Sequence, residues 1–227
     1  MAIPVLIIGN KRYSSWSLRG WLAVKLSGIE FEEVVQPLYN PDSHAHLRRL
    51  NPDAPAKVPS MIIDDQAIWD TLAICEYLAE IAPDAGFWPA EQMKRAQARS
   101  VVAEMHSSFT AIREHIPMDL SKRVPYDRLP EDVETDIARI CDIWRECRSK
   151  YAGDGPFLFG ALTLADIFFA PVTVRFASHS VPLDDVCQEY FDAVWALSDF
   201  SDWRVAAEAE AWVIDNGNDY GEQSAEA

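Results

Sequence analysis

The stretch that decides the fold is Ile3-Pro4-Val5-Leu6-Ile7-Ile8-Gly9-Asn10, followed after two basic residues by Tyr13-Ser14-Ser15-Trp16-Ser17-Leu18-Arg19. The apolar run predicts a strand, which Gly9-Asn10 ends, and the segment from Leu18 to Leu26 predicts a helix. A serine-rich turn at a helix start places hydroxyls beside free backbone N–H groups and the positive end of the helix dipole. The stretch therefore predicts a turn that can bind an anion.

The composition is that of a globular protein with an acidic surface. Of the 227 residues, 49% are hydrophobic and 25% are charged, which suits one large or two small domains. The net charge of −16 disfavours nucleic acid and anionic membrane surfaces, because both need clustered Lys and Arg. No apolar run approaches the roughly 18 residues of a membrane helix, and no signal peptide is evident. We therefore expect no nucleic-acid partner and no membrane association.

The four cysteines, Cys75, Cys141, Cys147 and Cys187, form no Cys-x-x-Cys pair and have no nearby His at metal-ligand spacing. This pattern predicts reduced, buried thiols in a cytoplasmic protein, and no metal site.

The first 82 residues alternate between strand-like and helix-like segments. After the first strand and helix, we predict a strand at 31–36, a short helix opened by Pro41 and Asp42, a hairpin at 60–68, and a helix at 70–82. The order β-α-β-α-β-β-α predicts a parallel strand pair with an added hairpin, covered by helices. Residues 1–82 are therefore expected to form a small α/β domain.

The segment 83–89, rich in Pro and Gly, predicts a linker to a second domain at 90–215. That domain is predicted to be all-helical, with helices at about 91–116, 131–151, 163–176, 185–197 and 201–213. Thr163 and Asp166 have the spacing of a capping box. Residues 216–227 are polar and are expected to form a flexible tail.

Two residue pairs in the first domain carry further chemistry. Val58-Pro59 precedes the hairpin, where a cis bond would leave the Val58 N–H and C=O free to pair with an extended ligand, and a trans bond would make an ordinary turn. Asp70-Thr71 begins a helix. It is either a plain N-cap, or a carboxylate, a hydroxyl and an N–H that together receive the two ends of an amino acid.

These features together resemble the cytosolic glutathione transferases over nearly the whole chain. Ser14 to Arg19 is similar to the Ser-Ser-Cys-x-x-Arg signature of zeta-like members, with Trp16 in place of the Cys. Lys57-Val58-Pro59 looks like the family's cis-proline segment, Asp70-Thr71 like its γ-glutamyl motif, and Thr163 to Asp166 like its capping box. The resemblance implies a thioredoxin-like N-terminal domain (βαβαββα) followed by an all-α C-terminal domain.

The resemblance also implies residue roles. Ser14 would donate to the sulfur of glutathione, with Ser15 and Ser17 as alternatives that are otherwise helix caps. The expected glutathione-binding residues are Ser15, Trp16, Lys57, Val58, Pro59, Asp70 and Thr71, with Lys57 at the glycine carboxylate. Because Ser14 and Ser17 stand where thiol–disulfide members carry Cys-x-x-Cys, disulfide exchange through a protein thiol is not expected.

The electrophile would lie between the two domains. His106, Arg113 and Arg175 are candidate substrate contacts, and each is also open to a structural role, because helical spacing does not say which face is turned to the cleft. The expected function is a glutathione transferase acting on a small electrophile. The alternatives are a glutathione-dependent isomerase of the maleylacetoacetate type and a non-enzymatic binding module. A homodimer is expected by resemblance.

Overall fold

The computed structural model describes residues 3–38, 42–52, 54–127, 129–215 and 219–222. The strands are Val5–Ile8 (β1), Glu32–Val35 (β2), Ser60–Ile63 (β3), Gln66–Trp69 (β4), Trp212–Asp215 (β5) and Asp219–Glu222 (β6). The helices are Ser15–Ser27 (α1), Ser43–Leu50 (α2), Thr71–Ile81 (α3), Gln92–Ser107 (α4), Thr110–His115 (α5), Glu131–Tyr151 (α6), Leu164–Ser178 (α7), Asp185–Trp195 (α8) and Ser198–Glu208 (α9).

Four strands form one mixed sheet in the order β2-β1-β3-β4. β1 and β2 are parallel, and β3 runs antiparallel to β1 and to β4. β1 is one of the two inner strands and is wholly apolar, whereas the edge strand β2 exposes Glu32 and Glu33. The hairpin turns at Asp64 and Asp65, which both have positive φ, a conformation that Asp tolerates. The predicted βαβαββα order is confirmed; the helix opening predicted at Pro41 lies outside the described residues.

α7 lies at the centre of the molecule, and all but one of its residues are buried. It packs against α1 of the N-terminal part and against α4 and α8. The predicted capping box at its start is confirmed: the Thr163 N–H donates to Asp166 Oδ2 (2.8 Å), and the Leu158 N–H donates to Asp166 Oδ1 (3.0 Å). Burial raises the pKa of Asp166 to about 6, although these donors act in the opposite direction. One continuous core therefore joins the sheet to the helices.

The structure corrects three predictions. The helix predicted at 91–116 is two helices, α4 and α5, because Phe109 between them adopts a left-handed backbone conformation (φ 63°). The helix predicted at 201–213 ends at Glu208. β5 follows instead and pairs antiparallel with β6, so the part of the chain after the linker is not all-helical. The flexible tail at 216–227 stays a prediction. The run Trp-Val-Ile at 212–214 favours a strand over a continued helix.

None of the described helices is long and apolar enough to cross a membrane. The boundary at 83–89 stays a prediction.

Candidate active site

The serine turn lies between β1 and α1. Ser14 is the N-cap of α1, and its Oγ accepts from the Ser17 N–H (3.3 Å). Ser14 Oγ donates to Ser17 Oγ (2.8 Å), which also accepts from the Gly9 N–H (2.9 Å). Because a hydroxyl both donates and accepts, this bond can reverse when a ligand binds, so that Ser17 donates to Ser14 and the Ser14 hydrogen turns to the ligand. The turn thus presents the Ser14 hydroxyl, hydrogen-bonded to that of Ser17, at the positive end of a helix.

The peptide bond between Val58 and Pro59 is cis, as the resemblance implied. Pro59 is buried and Val58 is half-buried. α1 passes close to this segment: a Cβ placed on Gly20 would lie only 3.0 Å from Pro59 Cγ. Direct packing thus holds the cis segment against α1, the helix that begins at the serine turn. The Lys57 side chain is exposed, and it forms no ion pair with any residue that the structure describes.

Asp70 and Thr71 connect the start of α3 to α1 and α4. Asp70 caps α3 through the Leu72 N–H (2.8 Å), and its positive φ of 72° is a strained conformation of the kind found at functional sites. Thr71 donates its hydroxyl to the Trp16 carbonyl (3.3 Å). His106 Nε2 lies 3.7 Å from Asp70 Oδ2. Asp70 therefore caps the helix through one carboxylate oxygen, while the other lies near His106. The helix-cap interpretation and the ligand-binding interpretation are thus compatible.

Trp16 contacts side chains from both the N-terminal and the C-terminal part of the chain. The guanidinium carbons of Arg19 and Arg113 lie 4.7 and 4.8 Å from its ring centroid, and both contacts are cation–π interactions. The His106 ring meets the indole edge-on at 5.1 Å. His106 Nδ1 is buried and has no hydrogen-bond partner among the described residues, so a polar ligand atom would satisfy it. The indole that replaces the Cys of the signature thus orders two cations.

Three arginines carry an excess of positive charge here. Arg19 and Arg175 are only 1% and 6% exposed, and each donates to a backbone carbonyl, Arg19 to Phe168 (2.8 Å) and Arg175 to Ile116 (2.6 Å). Arg113 donates to the Met105 carbonyl. No carboxylate in the described ranges forms an ion pair with any of the three.

Burial, and to a smaller extent the positive charge of Arg113, lowers the pKa of Arg175 to about 9. Burial also lowers the pKa of Arg19, with Arg113 and Arg175 adding to the effect. Like charges that repel in a partly dry site bind an anion favourably, because the anion relieves the repulsion. In a chain of net charge −16, this local excess points to a negatively charged ligand.

The structure brings most of the predicted site residues together. Direct contacts connect Trp16 with Thr71, His106 and Arg113, and His106 with Asp70. Arg175 contacts Ser15, which with Ser14 directly precedes Trp16 in the chain, and Pro59 packs on α1 at Gly20. Lys57 is not connected. Sequence reasoning gave no role to Arg19, although the residue stands in the signature, because spacing does not show that a helical arginine is buried. Over the described residues, no group of three or more His, Cys, Asp or Glu side chains is arranged to hold a metal ion.

Comparison with known proteins agrees with this geometry. Residues 13–81 match the family model described as glutathione S-transferase, N-terminal domain. A probable maleylacetoacetate isomerase of Caenorhabditis elegans is 36% identical over 98 residues, which are 43% of this chain and 44% of that protein. The match thus spans less than half of that relative.

Two solved structures cover 91% of this chain and 99% of their own. One is a glutathione transferase homologue from Burkholderia strain BGR1 with bound glutathione (TM-score 0.67, 20% identity). The other is a bacterial maleylpyruvate isomerase described as a zeta-class glutathione S-transferase (TM-score 0.69, 21% identity).

A mixed four-stranded sheet with a cis-proline segment, followed by a mainly helical part, defines a thioredoxin-like domain with a helical extension. Residues 13–81 match a glutathione S-transferase N-terminal domain, and the fold of the chain is similar to that of glutathione transferases, a zeta-class member among them.

Proposed function

We propose that the protein is a glutathione transferase in which Ser14 donates a hydrogen bond to the glutathione thiolate. The observation that carries the proposal is that one helix, α1, connects three features: it begins at the serine turn, packs through Gly20 on the cis Val58-Pro59 segment, and accepts at its Trp16 carbonyl from Thr71 at the strained helix start. Val58 would pair with the cysteinyl backbone of glutathione. Asp70 and Thr71 would receive the γ-glutamyl end, and the exposed Lys57 would reach the glycine carboxylate as the ligand binds.

The serine acts on the pKa of the bound thiol. A free thiol has a pKa near 8.5 and is mostly protonated at neutral pH, so a donor at a helix N-terminus that favours the thiolate raises the reactive fraction. A downward shift of about two pH units corresponds to roughly 2.7 kcal/mol of differential stabilisation. Exchange through a protein thiol is not part of this chemistry. Cys75, the first cysteine of the chain, is fully buried, and burial raises its pKa.

The three arginines Arg19, Arg113 and Arg175, here called the arginine cluster, favour an anionic electrophile. The cluster therefore supports the isomerase as a second candidate. In that reaction the thiolate would add to a carbon–carbon double bond conjugated to a carbonyl, and the displaced electron pair would move onto the carbonyl oxygen. Rotation about the resulting single bond and expulsion of the thiolate would then return glutathione unchanged. Arg113 and Arg175 would hold the substrate carboxylates and the developing oxyanion, with His106 beside them. The C. elegans relative carries the name of such an isomerase.

The assembly and location are inferred from the resemblance and are part of the proposal. We propose a cytoplasmic homodimer, for which light scattering is expected to give twice the 25.6 kDa mass of the chain.

Retention on immobilised glutathione tests the glutathione site, and a side-by-side assay tests the reaction. We expect the chain to be retained and then eluted by free glutathione. An aryl halide, an organic peroxide and maleylacetone distinguish conjugation, peroxidase and isomerase activities. The arginine cluster predicts the highest activity with an anionic electrophile. Flow-through without retention would favour the non-enzymatic alternative.

Gly20→Ala tests the packing of α1 on the cis segment. Alanine is a better helix former by about 1 kcal/mol, but its methyl group would lie 3.0 Å from Pro59 Cγ and 3.2 Å from Cβ, closer than ordinary contact. We expect α1 and Val58-Pro59 to move apart, so that titration calorimetry shows a severalfold weaker affinity for glutathione. Ser100→Ala, on an exposed part of α4, is the control for helix propensity. Unchanged affinity in Gly20→Ala would show that the contact does not position the segment.

A further inference from the structure

The turn that presents Ser14 is held by the C-terminal end of the chain. Glu210, two residues past the end of α9, accepts from the Lys11 N–H at Oε1 (2.7 Å) and from the Arg12 N–H at Oε2 (3.1 Å). Trp203 Nε1 donates to the Lys11 carbonyl (2.9 Å), and the Leu120 N–H donates to the Arg12 carbonyl (3.3 Å). All four backbone groups of Lys11 and Arg12 are therefore bonded by residues from the helical part of the chain.

This support is transmitted directly to the serine. The Asn10 carbonyl accepts from the Tyr13 N–H (3.2 Å) and from the Ser14 N–H (2.8 Å), so residues 10–14 form one closed turn. Lys11 and Arg12 are each 8% exposed, and their N–H groups have little access to water if the carboxylate is removed. A displacement of these two peptide groups therefore moves the N-cap serine.

The carboxylate acts on the main chain and is not engaged mainly in an ion pair. The Lys11 ammonium is paired with Glu33 (2.6 Å) and lies over the rings of Trp21 and Trp203. The Arg12 guanidinium reaches the backbone carbonyl of Glu210 (3.4 Å). The Glu210 side chain has two oxygens, and each accepts one N–H of the turn. Neither an amide nor an alanine reproduces this pair of bonds.

We propose that Glu210 is a positioning residue that fixes the serine turn in the geometry in which Ser14 meets the thiolate. The inference rests on the proposed role of Ser14. Glu210 itself touches neither glutathione nor the reacting atoms. It connects the segment after α9 to the serine turn. The position of that segment therefore determines the length and angle of the hydrogen bond that Ser14 makes.

The test compares Glu210→Ala and Glu210→Gln with Glu208→Gln, which removes the same charge from an exposed position two residues earlier. Ultraviolet absorbance of the bound thiolate against pH gives the ionisation midpoint, and calorimetry gives the affinity for glutathione. We expect Glu210→Ala to raise the midpoint by about one pH unit, tenfold in the ionisation constant, while the affinity stays within about threefold. Glu210→Gln is expected to lie in between, because an amide oxygen accepts only one of the two N–H bonds. Glu208→Gln should match the wild type.

The pH dependence of the turnover number distinguishes a positioning role of Glu210 from a role in stability alone. The turnover number of Glu210→Gln is expected to fall at neutral pH and to recover above the new midpoint, whereas a merely structural loss would lower it at every pH. A lower melting temperature with an unchanged midpoint in either Glu210 variant would overturn the inference and leave the role of Ser14 intact. If the wild-type protein does not lower the ionisation midpoint of bound glutathione below the pKa of the free thiol, the proposed function is overturned, and this inference with it.

Discussion

Ser14→Ala is expected to keep the affinity for glutathione within about threefold of the wild type and to raise the pH at which the bound thiol ionises by about two pH units. The proposed binding contacts at Val58, Asp70 and Thr71 would be untouched, whereas the thiolate would lose its proposed hydroxyl donor. At neutral pH the thiolate fraction, and with it the rate of conjugation, should fall roughly ten- to hundredfold. Ultraviolet titration of bound glutathione measures the midpoint, and the rate should recover at alkaline pH.

Ser15→Ala and Ser17→Ala are the matched controls. Ser17 supports Ser14 from behind (2.8 Å), so its loss should shift the midpoint by less than the loss of Ser14 does. The Ser15 hydroxyl accepts from Arg175 (3.5 Å) and should have little effect. Ser14→Ala also removes a helix cap, which costs about 1 kcal/mol, so melting temperatures must be measured alongside. An unchanged midpoint in Ser14→Ala, with a shift in one of the other two, would transfer the role to that serine.

Arg175→Gln is expected to raise the KM for an anionic electrophile such as maleylacetone about ten- to hundredfold, a loss of the size expected for a partly buried charge-assisted hydrogen bond. A neutral aryl halide should be affected severalfold at most. Because Arg175 also donates to the Ile116 carbonyl, Arg175→Lys and the more exposed Arg113→Gln serve as further variants. Equal losses with the neutral and the anionic electrophile in all three variants would assign the cluster a structural role.

Local chemistry made the N-terminal half predictable. Gly28, the left-handed residue that ends α1 (φ 71°), the Asp64-Asp65 turn and Pro59 each constrain the backbone at their own position, so the strand and helix order follows from the sequence. The break at Phe109 carries no such signal, because a left-handed phenylalanine is held by its surroundings. The end of α9 was misplaced for a similar reason: an apolar Trp-Val-Ile run fits a helix face or a strand until its partner strand is known.

The candidate site shows the same limit. The serine turn, the cis segment and the Asp70 helix start are contiguous motifs, and the sequence located all three. The arginine cluster depends on tertiary packing. α7, which carries Arg175, is buried on all sides and therefore has no apolar stripe that would show which face is turned to the site. The two hydrogen bonds from Glu210 to the first turn join opposite ends of the chain, and no local pattern indicates them.

A crystal structure of the complex with glutathione tests the central claim most directly. We predict that the sulfur lies within hydrogen-bond distance of Ser14 Oγ, that the cysteinyl backbone pairs with Val58, and that the γ-glutamyl end meets Asp70 and Thr71. A sulfur bonded to Ser15 or Ser17 instead, or glutathione bound away from the turn between β1 and α1, would contradict the account.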